Sequence, residues 1–104
     1  MKSWEIWWAD VKFEENTEEK CRPVIVIDDR TAFVLSLYVT SASPRPGYCD
    51  YVIQDWEFSG LSKPSTVRLD KMLSIDPSKF VSKIGTVSQR DKILIQMKAP
   101  FPLR

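Results

Sequence analysis

The sequence contains no histidine. This absence removes the commonest metal ligand and the side chain that titrates near neutral pH, and it excludes catalytic triads built on histidine. Any acid–base chemistry must therefore come from Asp, Glu, Lys, Arg, Tyr or Cys. Cysteine is scarce as well: Cys21 and Cys49 are the only two. Because the chain shows no export signal, we expect free thiols rather than a disulfide, and no zinc site.

The sequence also lacks a long apolar run and a strong net charge. No run approaches the ~20 residues that cross a bilayer, and Glu5 interrupts the apolar start of the chain, so we expect a cytoplasmic protein with no membrane partner. Fifteen basic and 14 acidic residues give a net charge of +1. Binding to nucleic acid would therefore need a local patch. The 104 residues, 43% of them hydrophobic, are expected to form one domain over 1–104.

Short strand-like segments separated by turns dominate the chain. Apolar patterns predict strands at Trp4–Val11, Pro23–Ile27, Ala32–Thr40, Tyr51–Gln54, Ser65–Leu69 and Phe80–Ile84. Composition predicts loops at Glu14–Lys20 and Ser41–Tyr48. Capping residues predict helical turns at Asp55–Leu61 and Asp76–Pro77, and a terminal helix after Ser88 with Ile93, Leu94 and Met97 in one stripe. The pattern indicates a mainly β fold, a small half-open barrel with peripheral helices.

One predicted strand carries a candidate site. In Thr66–Asp70, alternation places Arg68 and Asp70 on the same face, roughly 6.5 to 7 Å apart along the backbone, which suits a guanidinium and a carboxylate flanking one phosphate. An exposed ion pair gives the same pattern. Arg22, before an apolar strand, and the Thr40–Ser41 pair, at the end of another, favour the phosphate site.

Several motifs together resemble the MazF/PemK/Kid-like toxins of bacterial toxin–antitoxin pairs. They occur in that family's order, at Glu5–Asp10, Lys20–Ile27, Val39–Ser41, Pro64–Asp70, and Leu73–Asp76 leading to Lys83–Gly85. The resemblance implies an SH3-like or plasmid-toxin barrel with a C-terminal helix, and a homodimer. It also implies an mRNA interferase, a sequence-specific endoribonuclease that cuts single-stranded RNA without metal or other cofactor. The expected partners are mRNA and a cognate antitoxin, which would insert an acidic or amphipathic tail into the RNA groove.

The resemblance assigns roles to individual positions. Arg22 matches the arginine of the family's Arg-Pro motif, Thr40 and Ser41 match a Thr-Ser pair at the mouth of the site, and Arg68 and Asp70 match the Arg-x-Asp pair. The chain departs from the family in two places. Trp4 stands where relatives usually have glycine. The first loop holds Asn16 and Thr17 where some relatives have a histidine and a Gly-x-Glu element.

These residue types suit cleavage by the RNA's own 2′-hydroxyl. Asp70 is the candidate base, more so if burial raises its pKa. Arg22 and Arg68 would stabilise the phosphorane electrostatically, since an arginine is a poor proton donor. Thr40 or Ser41 would bind a phosphate oxygen. The products would be a 2′,3′-cyclic phosphate and a 5′-hydroxyl.

RNA binding is expected near the second loop, while other functions stay open. Arg45 would contact the RNA backbone, and Tyr48 and Tyr51 would stack on bases. The tryptophans are expected in the core or in a dimer interface. One alternative is a catalytically silent barrel that binds RNA or protein. Another is an SH3-like peptide-binding domain. The same fold would serve all three.

Overall fold

A computed structural model describes residues 1–12, 18–30 and 32–103. Its strands are β1 (Glu5–Lys12), β2 (Glu19–Asp28), β3 (Val34–Thr40), β4 (Asp50–Val52), β5 (Thr66–Ile75) and β6 (Phe80–Thr86). A short 3₁₀ helix spans Pro77–Lys79, and helix α1 spans Gln89–Lys98. The six strands form one antiparallel sheet in the order β4-β5-β3-β2-β1-β6. The prediction of a mainly β fold with a C-terminal helix is confirmed.

Predicted strand boundaries differ from the observed ones, most of all in β2 and β5. Glu19 and Lys20, expected in the first loop, begin β2 and pair with Lys12 and Val11 of β1. The strand predicted at Ser65–Leu69 continues to Ile75 as β5. In both cases pairing with a neighbouring strand extends a segment whose own composition is polar or mixed. The expected helical turn at Asp55–Leu61 forms hydrogen-bonded turns instead of a regular helix.

The centre of the sheet forms the core. Val24–Ile27 of β2 are buried, as the continuous apolar run predicts, and Leu37 and Val39 of β3 are buried beside them. The larger apolar cluster also includes buried residues from β1, β4, β5 and α1, namely Ile6, Tyr51, Val67, Leu69 and Ile95. This cluster is the rigid support on which the strand ends present the candidate site.

Strand β5 is irregular where it carries the candidate residues. Tyr38 of β3 pairs with Arg68, but the preceding Leu37 pairs with Met72. The pairing with β3 therefore skips residues 69–71. The backbone N–H of Leu69 donates to the carbonyl oxygen of Cys49 instead, at 2.8 Å. Asp70 thus projects from a bulged stretch, which is a common way of directing a side chain out of a ladder.

Helix α1 packs on the sheet through an unexpected face. Ser88 caps its N-terminus by accepting from the N–H of Asp91, as predicted. The predicted stripe of Ile93, Leu94 and Met97 is exposed, however. The helix instead buries Ile95 together with the carboxylate of Asp91. In the described part of the chain, no helix has the length and apolarity to span a membrane.

Trp4 has a backbone conformation that favours glycine. Its φ is +70°, a left-handed value that is uncommon for any residue with a Cβ. Its N–H donates to the carbonyl oxygen of Val26, and its own carbonyl oxygen accepts from Val87. The side chain is buried in the larger apolar cluster. Burial of the indole offsets the strain of this conformation.

Candidate active site

A groove of about 560 Å³ lies beside Arg22 and Pro23 of β2 and the last residues of β3. Segment 60–65 forms its opposite wall, and Gly60 within that segment packs closely on β6. A Cβ at Gly60 would lie 2.6 Å from the carbonyl oxygen of Ile84, and its φ of +90° also requires glycine. The groove is lined by Trp8, Arg22, Pro23, Tyr38, Val39, Thr40, Ser41, Gly60, Leu61, Ser62, Lys63, Ser65 and Ile84.

The groove is positively charged and rich in hydroxyl groups. Arg22 and Lys63 supply cations, and no Asp or Glu is among the lining residues that the structure describes. Arg22 donates from Nη1 to the carbonyl oxygen of Cys21 at 3.3 Å. No ion pair joins its guanidinium to another described residue, so most of its N–H groups can reach a ligand. Forked donors, an ammonium group and hydroxyls together match the oxygens of a phosphate.

Thr40 and Ser41 lie at the edge of this groove. Thr40 ends β3 half-buried, and its Oγ1 accepts from the N–H of Ala42 at 3.2 Å. That bond fixes the turn by which the chain leaves β3. Ser41 is exposed. The structure therefore brings Arg22, Thr40 and Ser41 together, as the sequence predicts.

Arg68 and Asp70 lie outside the lining of the groove. Arg68 places its guanidinium carbon 5.3 Å from the centre of the Tyr38 ring, a cation–π distance. Tyr38 also lines the groove, so this residue connects the two parts of the site. The Nε of Arg68 is buried and has no hydrogen-bond partner in the described residues. A polar group of this kind usually marks a functional position or a bound water.

Asp70 is held by an arginine from the loop between β3 and β4. Nη2 of Arg45 donates to Oδ1 of Asp70 at 3.0 Å. The same nitrogen donates to Oδ1 of Asp50 at 2.8 Å, and Nε donates to Oδ2 of Asp50 at 3.0 Å. Arg45 also lies over the ring of Tyr48, 4.1 Å from its centre. The expected association of Asp70 with a cation is present, but the cation is Arg45.

The electrostatics of this cluster centre on Asp50. Its side chain is only 2% exposed, and the hydrogen bonds from Arg45, assisted by the charges of Arg45 and Arg68, hold the pKa of Asp50 below its usual range. The hydrogen bonds that Arg45 donates to Asp50 in turn raise the pKa of Arg45. Asp50 is therefore a buried anion between two cations. Asp70, by contrast, is exposed.

The predicted stacking residues have different environments. Tyr48 is exposed beside Arg45. Tyr51 is buried, and its hydroxyl donates to Oδ1 of Asp91 at 2.5 Å. The prediction that Tyr51 stacks on RNA bases was therefore wrong, because alternation in β4 turns its ring into the core. Asn16 and Thr17 of the first loop lie outside the described residues.

Trp8 and Lys63 line the groove, although neither was predicted as a site residue. Trp8 was expected in the core or a dimer interface, but it is 38% exposed and lines the groove. Its neighbour Trp7 donates from Nε1 to Glu5 and packs edge-on against Phe80. Lys63 had no local signal beyond lying next to Pro64 in a turn. The residues described contain no group of three His, Cys, Asp or Glu side chains placed to hold a metal ion.

The fold has a counterpart among solved structures. It is similar to that of the Mycobacterium tuberculosis toxin MazF-mt6, with a TM-score of 0.71, 18% sequence identity, and 90% of each chain covered. No curated protein sequence matches the chain.

The sequence identifies the family directly. Residues 2–99 match the family model described as the PemK-like, MazF-like toxin of type II toxin–antitoxin system. The chain belongs to this family, which confirms the resemblance seen in the motifs. A toxin of a type II system has a cognate antitoxin as its partner.

Proposed function

We propose that the protein is an endoribonuclease toxin that cuts single-stranded mRNA without a metal cofactor. The observation that carries this proposal is the groove, in which Arg22 and Lys63 lie beside several hydroxyls with no carboxylate among the described lining residues. Such a surface attracts a phosphate backbone even though the whole chain is nearly neutral. Membership of the PemK-like, MazF-like toxin family supports this reaction class.

The RNA backbone would follow the groove past Arg22 of β2 and the end of β3. Arg22 and Lys63 would bind successive phosphates, with Thr40 and Ser41 donating to a phosphate oxygen at the edge. The exposed ring of Trp8 would stack on a base, a contact worth about 1–3 kcal/mol that tolerates many sequences. Tyr48, exposed on the neighbouring loop, would stack on a base further along.

Cleavage would take place where the groove meets the Arg68–Asp70 cluster, on the side of Tyr38. Oδ2 of Asp70, which accepts no hydrogen bond from the described residues, would take the proton of the 2′-hydroxyl. The 2′-oxygen would attack phosphorus while the bond to the 5′-oxygen breaks, and water would return a proton to the leaving oxygen. Arg22 and Arg68 would stabilise the charge of the phosphorane. The products would be a 2′,3′-cyclic phosphate and a 5′-hydroxyl.

The test is cleavage of a long single-stranded RNA in EDTA, with the 5′ ends of the fragments mapped. The wild-type protein should cut at a short recurring sequence. Arg22→Ala and Asp70→Asn should each lower the rate by about 10²-fold or more, because each removes a group that acts in the transition state. Arg30→Ala is the matched control: Arg30 is exposed and bound to Asp28, away from the groove. Unchanged cleavage by Asp70→Asn would remove Asp70 from the mechanism.

A catalytically silent binding domain is the second candidate. The observation that favours it is the ion pair of Asp70 with Arg45, together with the position of Arg68 and Asp70 outside the groove lining. This candidate requires RNA that stays intact while binding to the wild-type protein with an affinity that falls in Arg22→Ala and Lys63→Ala. Fragments with 5′-hydroxyl ends would exclude it.

The remaining partners follow from the same surfaces. The cations of the groove are complementary to an acidic antitoxin tail, which would compete with RNA. The exposed apolar stripe of Ile93, Leu94 and Met97 would be covered in a homodimer, since an apolar patch on a helix is a liability in a monomer. Light scattering of wild-type protein and of Ile93→Lys tests the dimer. We place the protein in the cytoplasm, where mRNA is available.

A further inference from the structure

The contact between Arg45 and Asp70 joins two distant parts of the chain. Arg45 lies in the Pro- and Gly-containing loop that follows β3, and Asp70 lies in the bulge of β5, 25 residues later. A free loop arginine would be mobile, and holding one in place costs side-chain entropy. Some other group must therefore keep Arg45 within reach of Asp70.

Asp50 provides that hold. Its Oδ2 accepts from the backbone N–H of Arg45 at 2.9 Å and from Nε at 3.0 Å, while Oδ1 accepts from Nη2 at 2.8 Å. The carboxylate thus fixes both the loop backbone and the plane of the guanidinium. Because Asp50 is almost fully buried at the start of β4, it is a rigid anchor. Charge-assisted, two-point bonds of this kind are the strongest available.

This arrangement engages only one of the two carboxylate oxygens of Asp70. Nη2 of Arg45 occupies Oδ1 of Asp70, while Oδ2 accepts no hydrogen bond from the described residues. One oxygen is held in place and the other can meet a ribose hydroxyl. The bulge alone would leave this exposed side chain free to rotate. The guanidinium of Arg45 is also engaged by two carboxylates and lies over Tyr48, so it is poorly placed to bind RNA phosphate.

We propose that Arg45 and Asp50 are positioning residues for Asp70, Asp50 fixing Arg45 and Arg45 orienting the Asp70 carboxylate toward the 2′-hydroxyl. This deepens the proposed endoribonuclease function and rests on it. It also replaces the expectation that Arg45 contacts the RNA backbone. Of these three residues, only Asp70 touches the substrate.

The experiment separates catalysis from binding. We would measure kcat and KM for cleavage, and Kd for an RNA with a 2′-deoxy nucleotide at the cleaved position. Arg45→Ala should lower kcat about 10- to 100-fold, the usual effect of misplacing a reacting group by about 1 Å, and change KM and Kd less than about 3-fold. Arg45→Lys should recover part of kcat. Added guanidinium ion, below denaturing concentration, should do the same for Arg45→Ala.

A double variant tests the order of action. If Asp50 works through Arg45, Asp50→Asn combined with Arg45→Ala should be no slower than Arg45→Ala alone. Thermal unfolding of every variant checks the fold, and Arg30→Ala is the matched control because Arg30 binds Asp28 through the same pair of nitrogens. If Arg45 had a merely structural role, Arg45→Ala would not be rescued by guanidinium ion, and it would not lower kcat while leaving KM unchanged.

Three results would overturn the proposal. A raised Kd with unchanged kcat in Arg45→Ala would make Arg45 a phosphate contact. If the losses of kcat were additive in the double variant, Asp50 would not act through Arg45. Wild-type kcat in Arg45→Ala would refute the positioning role while the endoribonuclease function stands. By contrast, folded wild-type protein that cuts no RNA would refute the proposed function first and this inference with it.

Discussion

Replacing Asp91 with asparagine tests the least expected feature of the fold, a fully buried carboxylate on helix α1. Its Oδ1 accepts from the Tyr51 hydroxyl at 2.5 Å and from the N–H of Gln54 at 2.9 Å. Its Oδ2 accepts from the N–H of Asp55 at 2.8 Å and lies 3.2 Å from Oγ of Ser88. The carboxylate therefore joins the helix to the segment that follows β4.

Asparagine preserves the size of this side chain but exchanges one acceptor oxygen for an NH₂ donor. Whichever way the amide turns, the N–H of Gln54 or of Asp55 loses its acceptor and faces another donor. A buried unsatisfied group costs about 1–3 kcal/mol, and the remaining bonds lose their charge assistance. We therefore expect Asp91→Asn to lower the free energy of unfolding by about 3 kcal/mol, or the melting temperature by roughly 15 °C.

Urea unfolding followed by tryptophan fluorescence measures this loss, with the m-value checked for two-state behaviour. Asp29→Asn is the control, because Asp29 is exposed and such a change should stay within about 0.5 kcal/mol. If Asp91→Asn were as stable as this control, the buried carboxylate would not be what joins the helix to the segment after β4.

Three further predictions follow from single contacts. Lys63→Ala should weaken binding of uncleavable RNA and reduce the slope of log K against log salt by about 1, since one phosphate contact is lost; an unchanged slope would remove Lys63 from the RNA path. The hydrogen bond from Lys83 lowers the pKa of Glu5 from 4.5 to about 2, so the ion pair stabilises the fold above pH 4.5 and is lost as the pH falls toward 2. Wild type should then lose about 1 kcal/mol more than Glu5→Gln in acid, because Lys83 is half exposed and screened; parallel pH curves for the two proteins would contradict this. Gly85→Ala should destabilise the fold by more than about 2 kcal/mol, since the added Cβ would clash with a backbone carbonyl, whereas Gly47→Ala meets only open space and should cost about 1 kcal/mol for its positive φ; equal melting temperatures would refute the clash.

Local patterns predicted much of this fold because their causes are local. The β-branched run before Asp28 predicted the central strand, and Ser88 predicted the start of the helix. Strand limits were less predictable: β5 extends to Ile75 because β3 pairs with it. The stripe of apolar residues on α1 predicted the wrong buried face. The buried face instead carries Asp91, whose hydrogen-bond donors in β4 and in the segment after it lie 36 to 40 residues earlier in the chain.

The candidate site also has residues that could be predicted from the sequence and residues that could not. Arg22, Thr40 and Ser41 could be predicted to meet, because Arg22 precedes the apolar run of one predicted strand and the Thr40–Ser41 pair closes another. The groove residues Trp8 and Lys63 could not be predicted, since they come from separate segments that approach only after the chain has folded. Tyr51 was assigned to the RNA surface because it is aromatic and lies near the second loop, but its ring is buried in the core.

By itself, the sequence determined the secondary-structure types, the family and the chemical groups available, because these depend on short-range sterics, capping and residue identity. Only the tertiary structure decided which charges meet. Asp70 was expected to act with Arg68, its neighbour in the strand, yet Arg45, 25 residues away, is its ion-pair partner. The physical reason is that a three-residue bulge in β5 and the buried anchor at Asp50 set that contact, and neither is encoded in the local spacing.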